Sequence, residues 1–427
     1  MKIFFIIEIL LLRILLEIIF NLRIEEYLSY DFSFTSNTLK MVESYFLLIS
    51  MSIILSISNK KSDISNVLVN LLYIVHYIPS LVLYGQMDLS REFIYLTSLY
   101  WLILLITLNL FSFRRIKISE KIYNTKKLFY GVIILWSVMV PIICIKYFDL
   151  SFNTELLNLF SKDIYETREV NSATYDSLGV FNSVLRWGAF VVFPLMFIYF
   201  YSINKKKLCL IPLALQLLLF FTMPFKSWLL IIPLAYVLYL VYNPGKFLNN
   251  VIKLINIFLF GSIILYKYIS SAIGEYLILL LVRRVFFVPA FLSNLYYEFF
   301  SEREPYLIQA SVLKVLFPNG YDASPPILIS RFFYGREFSA NTGLFGDAYA
   351  IFKILGVILF PILLALLFKL MDQLTVDIDK RAIIGVVLAQ TLVLINSSII
   401  AVLIGHGFLF MLFMLAIMPK NDQIKLE

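Results

Sequence analysis

The stretch Phe338–Phe352, FSANTGLFGDAYAIF, closes a long polar loop and runs directly into the apolar residues Ile354 to Phe368. Asn341, Thr342, Gly343, Gly346 and Asp347 therefore gather where a water-exposed loop would become a lipid-embedded helix. Hydrogen-bonding side chains, two glycines and a carboxylate are costly at that boundary unless something there requires them. A helix start accounts for part of the cluster, with Asp347 in the first turn and glycines relaxing the chain before it. Capping explains one or two of these residues and leaves the others without a role.

Outward from this point, apolar segments recur along the whole chain. Hydrophobic residues make up 61% of it and charged residues 15%, against about half and a quarter in soluble domains. Mean hydropathy is +0.87. At about 20 residues per crossing, this predicts an all-α polytopic membrane protein with about twelve transmembrane helices. The spans read as 3–20, 41–58, 64–85, 93–113, 128–147, 179–201, 208–223, 228–242, 251–270, 346–370, 382–397 and 399–418. Asn396, Ser397 and Ser398 supply the turn that divides the last apolar run. Strand-like alternation is absent, which argues against an outer-membrane barrel. Glu8, Arg13 and Glu17 weaken the first span, and the lack of a small-residue cleavage site predicts a retained helix there.

The net charge of +8 is spread over short loops, which argues against nucleic acid as a partner. Lys60 and Lys61, Arg114, Arg115, Lys117 and Lys121, Lys126 and Lys127, Lys205 to Lys207, Lys246, Lys380 and Arg381, and Lys420 and Lys425 fall in alternate loops. The intervening loops hold most of the acids, among them Asp31, Asp149, Glu155 and Glu169. The positive-inside rule then places both termini in the cytoplasm of a plasma (inner) membrane. The whole chain, 1–427, reads as a single polytopic membrane domain with two long outside loops, 148–178 and 271–345. Within the second, Glu275 to Phe300 predicts an amphipathic helix lying on the membrane surface. Pro325–Pro326 predicts a turn or extended segment.

Arginine predominates in these outside loops, whereas lysine predominates in the inside ones. Arg168 lies in the first long loop, Arg186 just inside the following helix, and Arg283, Arg284, Arg303, Arg331 and Arg336 in the second. A guanidinium grips phosphate or carboxylate oxygens bidentately, while an ammonium acts as a point charge. The set points to a ligand bearing pyrophosphate or carboxylate, although pairing with nearby Glu is open to any single member. The second loop is also dense in aromatics, including Phe286, Tyr296, Phe317, Tyr321 and Phe332, which suit a carbohydrate platform or an interfacial belt. His76 and His406 lack partners at metal-ligand spacing, and Cys144 and Cys209 fall in apolar runs as packed thiols. No nucleotide-binding loop, Asp-x-Asp signature or nucleophile elbow is present. No metal or cofactor is expected.

Several stretches carry a family likeness: Arg168, the Leu185–Arg186–Trp187 helix entry before Pro194, Lys226–Ser227, RRVFFVPAFLSNLYYEFFS over Arg283–Ser301, and SANTGLFGDAYA over Ser339–Ala350. On these the chain resembles the O-antigen polymerase (Wzy) family of oligosaccharide-repeat-unit polymerases, over about half its length. Lys353 departs from the pattern, in which a small residue often follows the aromatic, and bears on helix packing.

The resemblance implies a fold similar to type C glycosyltransferases and a metal-independent membrane enzyme. It would transfer a growing glycan from undecaprenyl pyrophosphate to the non-reducing end of the next lipid-linked repeat unit, on the outer (periplasmic) face. Its partners would be that lipid-linked oligosaccharide, membrane lipid and a chain-length regulator. Arg168, Arg186, Lys226, Arg283, Arg284, Arg331 and Arg336 are the candidate pyrophosphate ligands, with Arg168, Arg283 and Arg284 expected to converge. Asn341, Thr342, Gly343 and Tyr349 would contact sugar, and Asp347 or Glu298 would handle the acceptor proton. A lipid-linked oligosaccharide flippase, or a ligase delivering the glycan to another acceptor, shares topology and donor and stays open at this stage.

Overall fold

A computed structural model describes residues 2–28, 37–58, 63–110, 125–148, 153–158, 161–307 and 320–420. Lys60, Lys61, Arg114, Arg115, Lys117, Lys121 and Lys425 of the basic loops lie outside the described residues, as do Asp31, Asp149 and Phe317. The described residues form helices and connecting turns, with no strand among them. In chain order the main helices are α1 (Lys2–Ile19), α2 (Thr38–Ser58), α3 (Ile64–Gln86), α4 (Arg91–Leu110) and α5 (Thr125–Tyr147). Next come α6 (Asp163–Ser177), α7 (Val180–Ser202), α8 (Leu210–Thr222), α9 (Lys226–Val241) and α10 (Phe247–Ile269). The series ends with α11 (Ser271–Ser301), α12 (Pro325–Tyr334), α13 (Leu344–Leu374), α14 (Ile384–Asn396) and α15 (Phe408–Ile417).

Eight of these, α2 to α5, α7, α10, α11 and α13, are long and apolar enough to cross a membrane. That supports a multi-pass helical protein, with fewer such helices than the sequence count of about twelve. The shortfall has physical causes. α1 carries Glu8, Arg13 and Glu17. α8 and α14 have 13 residues each, roughly 20 Å at 1.5 Å per residue, against about 30 Å of hydrocarbon. α9 and α15 are apolar but also short. The chain turns at Ser397–Ser398, where the sequence places the break.

Two sequence readings change. Glu275 to Phe300, read as a surface helix inside a long loop, lies within a 31-residue helix, Ser271–Ser301, that has the length and composition to cross. Its charges find protein partners: the Arg283 guanidinium lies 5.4 Å from the Tyr27 ring centre, and Glu298 accepts from Asn294 Nδ2 at 2.8 Å. Pro325 and Pro326 open α12 instead of breaking the chain, because a first helical turn requires no proline N–H.

The chain forms two compact units. The first comprises Met1–Ser112, Asn243–Lys369 and Leu392–Ile399; the second comprises Phe113–Tyr242, Leu370–Thr391 and Ile400–Glu427. In the first, the charges of α1 turn inward. Arg13 is fully buried, donates to Ser44 Oγ at 3.0 Å and pairs with Glu17 at 2.8 Å. Tyr45 donates to Glu17, and Asn256 Nδ2 donates to Glu8 Oε2 at 2.9 Å. Charges engaged by protein groups in this way need not face hydrocarbon.

α13 is broken at Phe352 (φ −136°) and Lys353 (φ +49°). The Ala350 and Ile351 carbonyls that the break releases accept from Tyr306 N at 2.8 Å and Leu307 N at 3.1 Å. A Cβ at Gly356 would collide with the Ala348 carbonyl, so only glycine admits this fold-back. The break detaches a short half-helix, 344–351, that carries Asp347.

Candidate functional site

In the second unit, the segment before α7 is fastened by one face of α6. Ile164, Arg168, Asn171 and Tyr175 recur at helical spacing along that face. Ile164 packs with Leu156 and Phe220. Asn171 Nδ2 donates to the Thr222 carbonyl at 2.8 Å. The Tyr175 ring stands 6.0 Å from Phe225 and 6.4 Å from Trp228, centre to centre. α6 is thereby seated over the turn between α8 and α9.

This seating brings three of the sequence-designated cations together. The Arg168 guanidinium lies 4.7 Å from the Phe225 ring centre. Lys226 Nζ lies 5.3 Å from that of Tyr165. Arg186 Nε donates to the Tyr175 hydroxyl at 3.0 Å, with its guanidinium 5.5 Å from the same ring. All three side chains are half-buried. Burial pushes the Tyr175 phenol up, against the pull of Arg186, so it stays a neutral donor. His406, edge-on to Phe190 at 5.6 Å, is an electrostatic neighbour of Arg186. A guanidinium resting on an aromatic face keeps its full charge. Tyr165, Tyr175, Phe225 and Trp228 escaped the sequence reading. The recurrence of apolar and aromatic residues around Arg168 at helical spacing was the signal that could have found them.

The other designated arginines belong to the first unit and go to different partners. Arg331 is exposed and holds Asp322 and Glu337 at 2.7 Å each. The paired guanidinium holds the Asp322 carboxyl below its ordinary range. Arg336 lies over Phe338 at 5.4 Å. Arg283 is half-buried beside Tyr27, whose hydroxyl donates to Glu275 at 3.2 Å, and Arg284 is exposed.

The Asn341–Asp347 segment is mostly enclosed. Asn341 is exposed and accepts from Ser339 Oγ at 3.3 Å. Thr342 is buried, with Oγ1 3.0 Å from Ser293 Oγ, which in turn lies 3.2 Å from His76 Nε2. Gly343 N donates to the Ile395 carbonyl at 3.2 Å. A Cβ there would collide with the Leu394 carbonyl and stand 2.6 Å from that of Ser397. The close approach that Gly343 permits is therefore to the 392–399 segment. Gly346 sits against Ser293 and Thr342 in the same way. Asp347 is buried, and Oδ2 accepts the Ile399 backbone N–H at 2.8 Å. Its carboxylate thus serves a separate segment. Arg331 and Arg336, the arginines nearest to it in sequence, contact Asp322, Glu337 and Phe338. Tyr349 packs on Tyr297 at 5.0 Å and stacks on Phe345 at 5.8 Å.

Comparison with protein-family models, with curated proteins and with solved structures finds no match.

Proposed function

We propose that this protein polymerises lipid-linked oligosaccharide repeat units of O-antigen or a related surface polysaccharide. It would move the growing glycan from undecaprenyl pyrophosphate to the non-reducing end of the next lipid-linked unit, on the outer face of a bacterial plasma membrane. The observation that carries this reading is the gathering of Arg168, Arg186 and Lys226 on aromatic faces at one site of the second unit. The family resemblance at those same positions supports it.

In the transfer, an acceptor hydroxyl oxygen attacks the anomeric carbon of the donor glycan. The bond from that carbon to pyrophosphate breaks, and its electron pair leaves on the carrier. Charge grows on the departing oxygen, and guanidiniums in a poorly solvated pocket stabilise it as an oxyanion hole does. The acceptor proton passes to a carboxylate as the new bond forms, the role for which the sequence nominates Asp347 or Glu298. Holding two membrane-anchored substrates supplies the entropic share of catalysis. No metal enters the step.

The test is reconstitution of the purified chain into liposomes with a single lipid-linked repeat unit as substrate. Products of two and more units, with release of undecaprenyl pyrophosphate, are expected. Movement of the substrate across the bilayer without lengthening would make the protein a flippase. Transfer only to a different added acceptor would make it a ligase.

A further inference from the structure

We propose that the second unit carries a binding groove for an anionic glycerophospholipid, formed by α5, α7 and the start of α8. The groove encloses about 480 Å³. Its walls are Ile134 and Val138 of α5, Met196 and Phe200 of α7, and Ile211 of α8, with Lys205 and Tyr130 at one end. That end is fixed by the Tyr130 and Tyr199 hydroxyls, 3.1 Å apart, which set the start of α5 beside the end of α7. From Tyr130 to Val138 the wall runs about 12 Å along the helix, long enough for part of an acyl chain.

Charge decides the occupant. Lys126 and Lys127 begin α5 one turn before Tyr130, and Lys205, Lys206 and Lys207 follow α7. Lys206 Nζ lies 5.6 Å from the Tyr201 ring centre. The turn that presents the three lysines is sharp: Asn204 has φ +62°, and Lys205 N donates back to the Phe200 carbonyl at 2.9 Å. Neither 125–148 nor 193–223 contains an Asp or Glu. An apolar trough with Lys205 and a phenol at one end, and four further lysines close by in sequence, matches a lipid with acyl chains and a net negative phosphate headgroup. A zwitterionic lipid carries its own ammonium into the same cluster and gains less. This inference is independent of the catalytic reading, because it uses none of the residues placed in the reaction.

The experiment uses the full chain, purified in detergent and titrated with dioleoyl-phosphatidylglycerol or dioleoyl-phosphatidylcholine, with retained lipid counted by native mass spectrometry. The first phosphatidylglycerol should be retained roughly tenfold better than phosphatidylcholine. The triple change Lys205→Gln, Lys206→Gln, Lys207→Gln should remove that preference, while Lys246→Gln, in another basic loop, should keep it. Val138→Trp, which fills the trough without touching charge, should weaken retention of phosphatidylglycerol and provides a second arm should the triple variant fail to fold. Equal retention of the two lipids by the wild-type chain would overturn the proposal. So would a preference that survives both changes, or undecaprenyl phosphate displacing phosphatidylglycerol with the same lysine dependence, which would assign the groove to the carrier lipid.

Discussion

Arg186 and Arg331 are the same residue type in sequence stretches of similar polarity, yet the two units treat them oppositely. Arg186 leans on the Tyr175 phenol, whereas Arg331 is forked between Asp322 and Glu337. A guanidinium neutralised by two carboxylates has little left to offer an incoming pyrophosphate, and an exposed pair of this kind contributes little to stability. One resting on a neutral ring retains its charge in a setting where water is partly excluded. Residue type alone nominated both; the partners separate them. Of the two, Arg186 keeps its charge beside a neutral ring, and Arg331 sits in an exposed ion pair.

The comparison breaks most visibly if the two arginines behave alike. Arg186→Ala should lower polymer formed per inserted protein by roughly 100-fold, the scale of losing one transition-state charge partner. Arg331→Ala should stay within about twofold of wild type. Arg168→Lys should also impair the reaction despite the retained charge, because the planar fork is lost. Product ladders normalised to protein level in the membrane check all three.

A second contrast lies inside the first unit, between Asp347 and the glycines around it. Asp347→Asn keeps an acceptor for the Ile399 N–H, so the fold should lose about 1 kcal/mol or less. Long-chain product should nevertheless disappear if the carboxylate handles the acceptor proton. Gly343→Ala should do the reverse in kind. Its Cβ meets the Leu394 and Ser397 carbonyls, so it should destabilise the chain by roughly 1–3 kcal/mol. Thermal unfolding in detergent beside the product ladder distinguishes these outcomes; wild-type lengths in the Asn variant would leave Asp347 a purely structural clasp.

The helical class, the turn at Ser397–Ser398 and the buried thiols were legible from residue types and hydropathy alone. The span count was not, because hydropathy does not weigh length: α8 and α14 are apolar but only 13 residues long. α11 was hidden by its charges, and the partners of Arg283 and Glu298 are visible only once Tyr27 and Asn294 are placed. Gly343 announced a close approach but not to what, since the 392–399 segment lies far along the chain. The break at Lys353 had a weak signal in a lysine following an aromatic, with nothing to specify its geometry.

The smallest effect is the pH response of the Arg331 cluster. Asp322 is held below its ordinary value of 3.8 by the Arg331 hydrogen bond. A depressed carboxylate contributes stability above its unfolded value, and loses it as pH falls through the lower, folded value. Stability should therefore decline slightly more steeply below about pH 4 in wild type than in Asp322→Asn. Unfolding scans across that range check the sign, and identical slopes would show that the pair is inert.

The most direct measurement of the central claim is binding of a short-chain prenyl pyrophosphate, compared with the matching monophosphate, to the purified chain and to its Arg186→Gln and Arg331→Gln variants. The account predicts that wild type and Arg331→Gln prefer the pyrophosphate by roughly tenfold or more, and that Arg186→Gln loses the preference. No preference in wild type, or equal loss in the two variants, would contradict it.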